Sequence, residues 1–335
     1  MINTAIAKLA AGQNLAGTET REAFDQIMIG GATNAQIAAF ITAMRMKGET
    51  IDEITACAQV LREKCSRIHT KGDVLDIVGT GGDCANTFNI STTSAFVISA
   101  ARQPVAKHGN RSVSSKSGAA DVLEALGVKI DLPAEKNEEL LQKINLCFLF
   151  AQSCHASMRY AGPVRKEIGI RTIFNIIGPL ANPAFASLQL LGVYQKELVL
   201  PLARVLSNLG VKRGIVVYGN DGLDEVTVSS TNTMAEINNG KVTEYILDPA
   251  DLGFKRCAKA DLVGGDAQEN AQITTNILNG TERGGKRDAV VLNSAVSLYL
   301  GGKGSIKECA VLAEETIDSG RAYEKLQQLV KLSNM

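Results

Sequence analysis

A chain of 335 residues is long for one hydrophobic core and comfortable for two lobes. Its 35 Lys and Arg balance 35 Asp and Glu, for a formal net charge of +0, so nothing in the totals marks nucleic acid or a membrane surface as the main partner, although balanced totals leave room for a local basic loop. No apolar run is long enough to span a bilayer, Met1 to Gly12 lacks a cleavable signal pattern, and the scattered cysteines (Cys57, Cys65, Cys84, Cys147, Cys154, Cys257 and Cys309) lack Cys-x-x-Cys spacing and read as reduced fillers; together these predict a cytoplasmic protein.

The N-terminal segment reads as helix. Thr33-Asn34-Ala35-Gln36 and Thr50-Ile51-Asp52-Glu53 both fit the capping box, and behind them Ile37, Phe40, Ile41 and Met44 form one apolar stripe and Ile54, Cys57, Ala58 and Leu61 another, as core or interface. At Lys71-Gly72-Asp73 the helical period gives way to the apolar run Val74 to Val78, which delivers Gly79-Thr80-Gly81-Gly82-Asp83 to Asn89-Ile90-Ser91-Thr92 and a long small-residue helix. Glycines let a backbone approach an anion closely, and the orphan amides of a helix start attract negative charge, so this is a candidate phosphate cradle. It is not the dinucleotide Gly-x-Gly-x-x-Gly loop, because Cys84 stands where that motif needs a small residue. No base is adjacent to Cys84, which reads as tolerated there.

After the short strand Pro104-Val105-Ala106 comes Lys107 to Gly118, with cations, an amide and four serines, followed by helical spacing from Ala119 to Leu126. This is a second anion-binding loop. Ser115 precedes Lys116, which disfavours a Walker loop. Strands at Val105 to Lys107, Cys147 to Phe150, Leu188 to Val193 and Gly214 to Tyr218 alternate with helical stretches and predict a largely parallel sheet covered on both faces. The apolar stretch Arg165 to Pro183 breaks that rhythm and is too helical for a loop. Asp224-Glu225 reads by itself as a solvated loop pair, since adjacent acids on a strand would point to opposite faces. Thr233 to Ile237 and Lys241 to Ile246 flank Asn238-Asn239-Gly240, a peripheral hairpin.

Gly79 to Asp83, Asn89 to Thr92 and Lys107-His108-Gly109-Asn110-Arg111 resemble the motifs of the anthranilate phosphoribosyltransferase family. Met158 to Leu180, with Pro163-Val164-Arg165-Lys166-Glu167 and Gly169 to Asn175, is similar to the family's stretch that binds the aromatic substrate, and Asp221-Gly222-Leu223-Asp224-Glu225 to its acidic metal-binding segment. The resemblance covers nearly the whole chain in order. It implies an α/β fold in which a small all-helical domain (residues 1–71 and about 165–183, discontinuous) joins a larger α/β domain (72–164 and 184–335) with a mostly parallel central sheet, the two facing a cleft.

The resemblance further implies an enzyme that transfers the phosphoribosyl group of phosphoribosyl pyrophosphate to the amine of anthranilate, giving N-(5-phosphoribosyl)anthranilate and pyrophosphate, the second step of tryptophan biosynthesis from chorismate. By the same resemblance Gly79, Gly82, Asp83, Thr87, Asn89, Ile90, Ser91, Thr92, Lys107, His108, Gly109, Asn110, Arg111, Ser112, Val113, Ser114, Ser115 and Ala119 surround phosphoribosyl pyrophosphate. Gly79, Asn110 and Arg165 meet anthranilate, and Arg165 suits its carboxylate in charge and shape. Ser91 and Glu225 bind one magnesium ion, and Asp224 and Glu225 a second. The amine of anthranilate is neutral, so no obligate acid or base is assigned, and His108 either lines the site or supports its loop. Ala119 stands where the family often has serine, Ala156-Ser157 where it has Pro-Ala after the histidine matching His155, and Tyr160 where it often has histidine; these departures change local shape. The family also implies a homodimer through the helical lobe and leaves room for association with anthranilate synthase. Two other readings stay open: a pyrimidine-nucleoside-phosphorylase-like enzyme, against which Glu225 and Arg165 count, and a non-catalytic nucleic-acid-binding paralogue.

Overall fold

The structure, a computed structural model, describes residues 1–112 and 116–335. It opens with α1 (Ile2–Ala10), α2 (Gly17–Met28), α3 (Asn34–Lys47) and α4 (Ile51–Glu63). Both capping boxes form: Thr33 Oγ1 accepts from the Gln36 amide while Gln36 Oε1 accepts from the Thr33 amide, and Thr50 with Glu53 repeats the exchange. The buried Glu53 carboxylate also accepts from the Leu15 amide at 2.9 Å and from Lys47 Nζ at 2.8 Å, so a capping residue of α4 ties α3 and the α1–α2 connection together. Both apolar stripes are buried inside the chain as core.

A seven-stranded sheet follows, made of β1 (Leu75–Gly79), β2 (Val105–Gly109), β3 (Leu146–Phe150), β4 (Leu188–Gly192), β5 (Arg213–Gly219), β6 (Asn232–Asn238) and β7 (Lys241–Leu247), in the order β3-β2-β1-β4-β5-β6-β7. The first five strands are parallel, and β6 and β7 close one edge as an antiparallel hairpin. Asn239 and Gly240, at φ 48° and 87°, make its turn, which needs two left-handed residues. Between strands run α5 (Ile90–Ala100), α6 (Ala119–Ala125), α7 (Ala134–Ile144), α8 (Ala151–Cys154), α9 (Gly162–Ile168), α10 (Phe174–Ile177) and α11 (Val199–Asn208). After β7 come α12 (Ala267–Leu278), α13 (Gly285–Leu300), α14 (Ile306–Asp318) and α15 (Arg321–Ser333).

Strand alternation splits the interior into two cores. Leu190, Ile215, Val217 and Met234 face the core shared with α5, α7 and α13 to α15. Leu191, Val216, Ala235 and Ile237 face the other, where α11, the four N-terminal helices and Val164, Phe174, Ile177 and Leu180 of the α9–α10 arm pack together. The helical lobe is thus continuous with one face of the sheet. β1 leads to β2 on one side while β4 pairs on the other, so the strand order reverses beside β1, and in α/β sheets ligands bind beyond the carboxyl ends of the strands at such a reversal. The segment from Gly178 to Pro183 is held by buried polar groups: Arg62 Nε donates to the Leu180 carbonyl, Gln189 Nε2 to that of Pro179, and Asn182 Nδ2 to that of Ala106.

Among the described residues no helix is long and apolar enough to cross a membrane, and the seven cysteines are free thiols.

Candidate active site

Gly79 and Gly192 are register partners at the carboxyl ends of β1 and β4. A Cβ on Gly192 would lie 1.6 Å from the Asp224 carbonyl oxygen, and one on Gly79 2.4 Å from Asp224 Oδ2. The two absent side chains therefore form the slot that holds the loop between β5 and β6. That loop is irregular, as its adjacent acids required, but Asp224 is not the solvated residue its sequence suggested: it is buried, and its Oδ2 accepts from the Gly81 amide at 2.6 Å. The reason is tertiary, because only the pairing of β1 with β4 brings the two glycines beneath it. From below, Asn293 on α13 fixes the same loop, accepting from the Val226 amide and donating to the Val226 carbonyl.

Around this slot the acids gather with one buried ammonium. The amide and hydroxyl of Ser91 at the start of α5 favour the charged form of the Glu225 carboxyl. Lys107 Nζ donates to Ser91 Oγ at 3.1 Å and to the Ile77 carbonyl at 2.6 Å. Asp83 accepts from the Ala85 amide at 3.1 Å and lies 3.5 Å from the Asp224 amide. Burial pushes the Glu225 carboxyl up to about 7 against the pull of Lys107, with Asp83 adding to the rise. Asp224 is raised too, by burial first and then by Asp83 and Glu225. Burial lowers Lys107, opposed by Asp76, Glu225 and Asp224. Were all these carboxylates ionised, one ammonium would leave them uncompensated, which is why Asp224 and Glu225 hold their protons more tightly than free acids, and they present hard oxygen donors. Those donors fit magnesium, which takes one or two carboxylates and fills its octahedron with phosphate oxygens and water. Among the described residues no three His, Cys, Asp or Glu side chains converge as an all-protein metal cage, so such an ion would need its substrate to complete it.

The second anion loop leaves β2. The His108 amide donates to Asp76 Oδ1 at 3.1 Å, and its ring meets that of His155 edge-on at 5.1 Å. Burial keeps both imidazoles neutral, lowering His155 to about 4 and His108 well below its usual range. Asn110 is exposed, and its Oδ1 accepts from Gln152 Nε2 and from the Arg111 amide. Arg111 turns to α6, pairing with Asp121 at 3.1 Å and with Glu124 through both Nη atoms. Asp121 in turn accepts from the amides of Ser112 and Gly118. Gly109 must be glycine: a Cβ there would lie 2.8 Å from the Phe148 ring and 3.0 Å from Ala119 Cβ. Val113, Ser114 and Ser115 lie outside the described residues.

Gly82, at φ 80°, is partly buried in the first loop, whereas Cys84 is exposed on it at φ 56°. Thr87 bridges to Val263, Ile90 and Thr92 are buried at the start of α5, and Asn89 is held by a side chain that sequence reasoning did not single out. Asn270 Nδ2 donates to Asn89 Oδ1 at 3.0 Å while Asn270 Oδ1 accepts from the Gly265 amide, and Asn89 Nδ2 donates to the Ser117 carbonyl. A polar residue inside α12 carries no local signal of that role. Arg165 sits on α9 with its guanidinium 5.0 Å from the Phe174 ring centre. It is half-buried, and burial lowers its pKa, with no charged neighbour acting on it among the described residues. Among the described residues it forms no ion pair with the neighbouring Glu167. Arg171, further along the arm, was also missed: its Nη2 reaches the Gly82 carbonyl at 2.5 Å.

Two family models match in tandem, the helical bundle domain of a glycosyl transferase family over residues 3–65 and its a/b domain over residues 71–323. The chain is 60% identical over its whole length to 98% of the anthranilate phosphoribosyltransferase of Ruminiclostridium cellulolyticum, and 55% identical over its whole length to all of that of Methanobrevibacter smithii. Among solved structures, the enzyme of Thermus thermophilus superposes with a TM-score of 0.94 at 40% identity, covering 99% of both chains. The Saccharomyces cerevisiae enzyme in complex with PRPP (phosphoribosyl pyrophosphate) and Mg gives 0.92 at 27% identity, covering 99% of this chain and 98% of that one. A separate complex of the yeast enzyme holds 4-fluoroanthranilate. With a glycine-rich loop, an acidic slot and an arm carrying Arg165 in one fold, and with this similarity from end to end, the chain belongs to the anthranilate phosphoribosyltransferase family.

Proposed function

We infer that the crevice at the carboxyl ends of β1, β2 and β4 is where this glycosyltransferase moves the phosphoribosyl group of phosphoribosyl pyrophosphate onto the amine of anthranilate, in tryptophan biosynthesis. The observation that carries the placement is the Gly79–Gly192 slot, which sets Asp224 and Glu225 against the amides of the glycine loop and the start of α5. Magnesium, which we propose binds as two ions per subunit through Ser91, Asp224 and Glu225, would act as a Lewis acid on the departing pyrophosphate. The chain's own part is positional and electrostatic. Loop amides and Lys107 balance the anionic donor, and Arg165, with Gly79 and Asn110, receives the acceptor by its carboxylate and brings a neutral amine to C1. No side chain needs to take a proton before attack.

We propose a division into a helical lobe of residues 1–71 with about 165–183 and an α/β lobe of the remainder, and a homodimer through the helical lobe; sedimentation as a monomer at micromolar concentration would count against the dimer. The activity is tested by following anthranilate fluorescence with phosphoribosyl pyrophosphate and magnesium. Loss of signal only when all three components are present is the expected result, and a constant signal at saturating magnesium defeats the reading.

A further inference from the structure

Arg171 belongs to the helical arm yet touches the phosphate loop of the sheet. Its Nη2 donates to the Gly82 carbonyl at 2.5 Å, and its guanidinium lies 4.2 Å from the centre of the Tyr194 ring. Tyr194 follows β4, and its amide donates to Thr80 Oγ1 at 3.2 Å, while the Thr80 amide donates to the Gly192 carbonyl. Arg171 is exposed, so this contact is not a by-product of core packing.

The carbonyl it holds is a telling one. Gly81 and Gly82 both have positive φ, 70° and 80°, in a loop whose glycines make peptide rotation easy. In a trans peptide the C=O of one residue and the N–H of the next point in opposite directions. Anchoring the Gly82 carbonyl on a guanidinium thus turns the Asp83 amide the other way. A rotated peptide would instead present a carbonyl oxygen where the Asp83 amide now points. Without the anchor both orientations of this peptide are open to the loop, and an anion would have to select one at the moment of binding.

We propose that Arg171 is a positioning residue for the pyrophosphate-bearing substrate: it fixes the Gly82–Asp83 peptide in its anion-accepting orientation and, because the same arm carries Arg165, ties the acceptor side of the crevice to the donor side. The inference rests on the reading of the glycine loop as the cradle for phosphoribosyl pyrophosphate. It assigns Arg171 no contact with substrate.

The test compares Arg171→Ala, Arg171→Lys and Asn89→Ala with the parent, measuring kcat, both KM values and the dependence of the phosphoribosyl pyrophosphate KM on salt. A hydrogen bond from a charged group is lost in Arg171→Ala, so that KM should rise roughly tenfold to a hundredfold, with kcat changed by less than about threefold and the melting temperature nearly constant because the residue is exposed. Lysine keeps a donor and should recover part of the loss. The salt dependence should match the parent, since the charge does not meet the anion. A shallower salt dependence in Arg171→Ala means direct ionic contact and overturns the positioning role, as does an unchanged KM. If Asn89→Ala raises the KM and Arg171→Ala does not, this inference alone fails; if neither does, the cradle reading fails with it.

Discussion

Replacing Gly192 by alanine puts one methyl group where the structure has backbone. The added Cβ would lie 1.6 Å from the Asp224 carbonyl oxygen and 2.3 Å from its carbonyl carbon, whereas real Cβ contacts essentially never fall below 3.0 Å. The Asp224 segment must therefore retreat by about 1.4 Å or β4 must yield, and β4 is hydrogen-bonded on both sides by β1 and β5. The loop is the softer partner, although Asn293 holds it at Val226. Overpacking of this kind costs roughly 1–3 kcal/mol of stability, which a chain of this size survives. Activity should suffer more, because displacing catalytic groups by about 1 Å costs on the order of a hundredfold. The assay is a magnesium titration of turnover beside a thermal melt. A folded protein with a weaker magnesium response and turnover down by about two orders of magnitude supports the slot. Turnover within twofold of the parent at ordinary magnesium refutes it.

Arg165→Ala removes a charge-assisted contact of about 1.5–3 kcal/mol and should lower anthranilate kcat/KM roughly tenfold to a hundredfold, with little change in phosphoribosyl pyrophosphate affinity; equal discrimination by mutant and parent against an acceptor lacking the carboxylate would return Arg165 to a structural role. Ser91→Ala takes from Lys107 the hydroxyl its ammonium donates to and should weaken phosphoribosyl pyrophosphate more than anthranilate, as read from the two KM values; the reverse order means the two substrates sit the other way round. Asp76 is buried, its Oδ2 without a partner among the described residues, and burial raises its carboxyl from 3.8 to about 6. Its folded pKa lies above the unfolded one, so the stability it contributes is present below pH 3.8 and lost as pH rises through 6. Asp76→Asn should gain stability relative to the parent across that window, by about 3 kcal/mol at most, and then level off; a difference in urea melts that stays flat with pH removes Asp76 from the pH response. Comparison with the parent is essential, because neutral His155 works in the opposite direction at low pH.

The parts of this site that are local in sequence were legible in it. A strand running into Gly79 to Asp83 and on to a helix start is one continuous stretch whose physics needs no distant partner, and the capping boxes at Thr33 and Thr50 form as written. What failed to show in the sequence depends on residues far apart in the chain. Asp224 looks solvated beside Glu225 until Gly79 and Gly192 come together beneath it. Arg111 looks like a free cation until α6 presents Asp121 and Glu124. Asn270 and Arg171 give no sign of reaching Asn89 and Gly82, because one is a polar position among several in its helix and the other a cation among several on the arm.

The most direct test of the central claim is a phosphorus NMR time course with phosphoribosyl pyrophosphate, anthranilate and magnesium, run beside the loss of anthranilate. Phosphoribosyl transfer predicts one pyrophosphate released for each anthranilate consumed, with no release when anthranilate or magnesium is left out. Pyrophosphate appearing without anthranilate, or anthranilate consumed without it, would contradict transfer at this site.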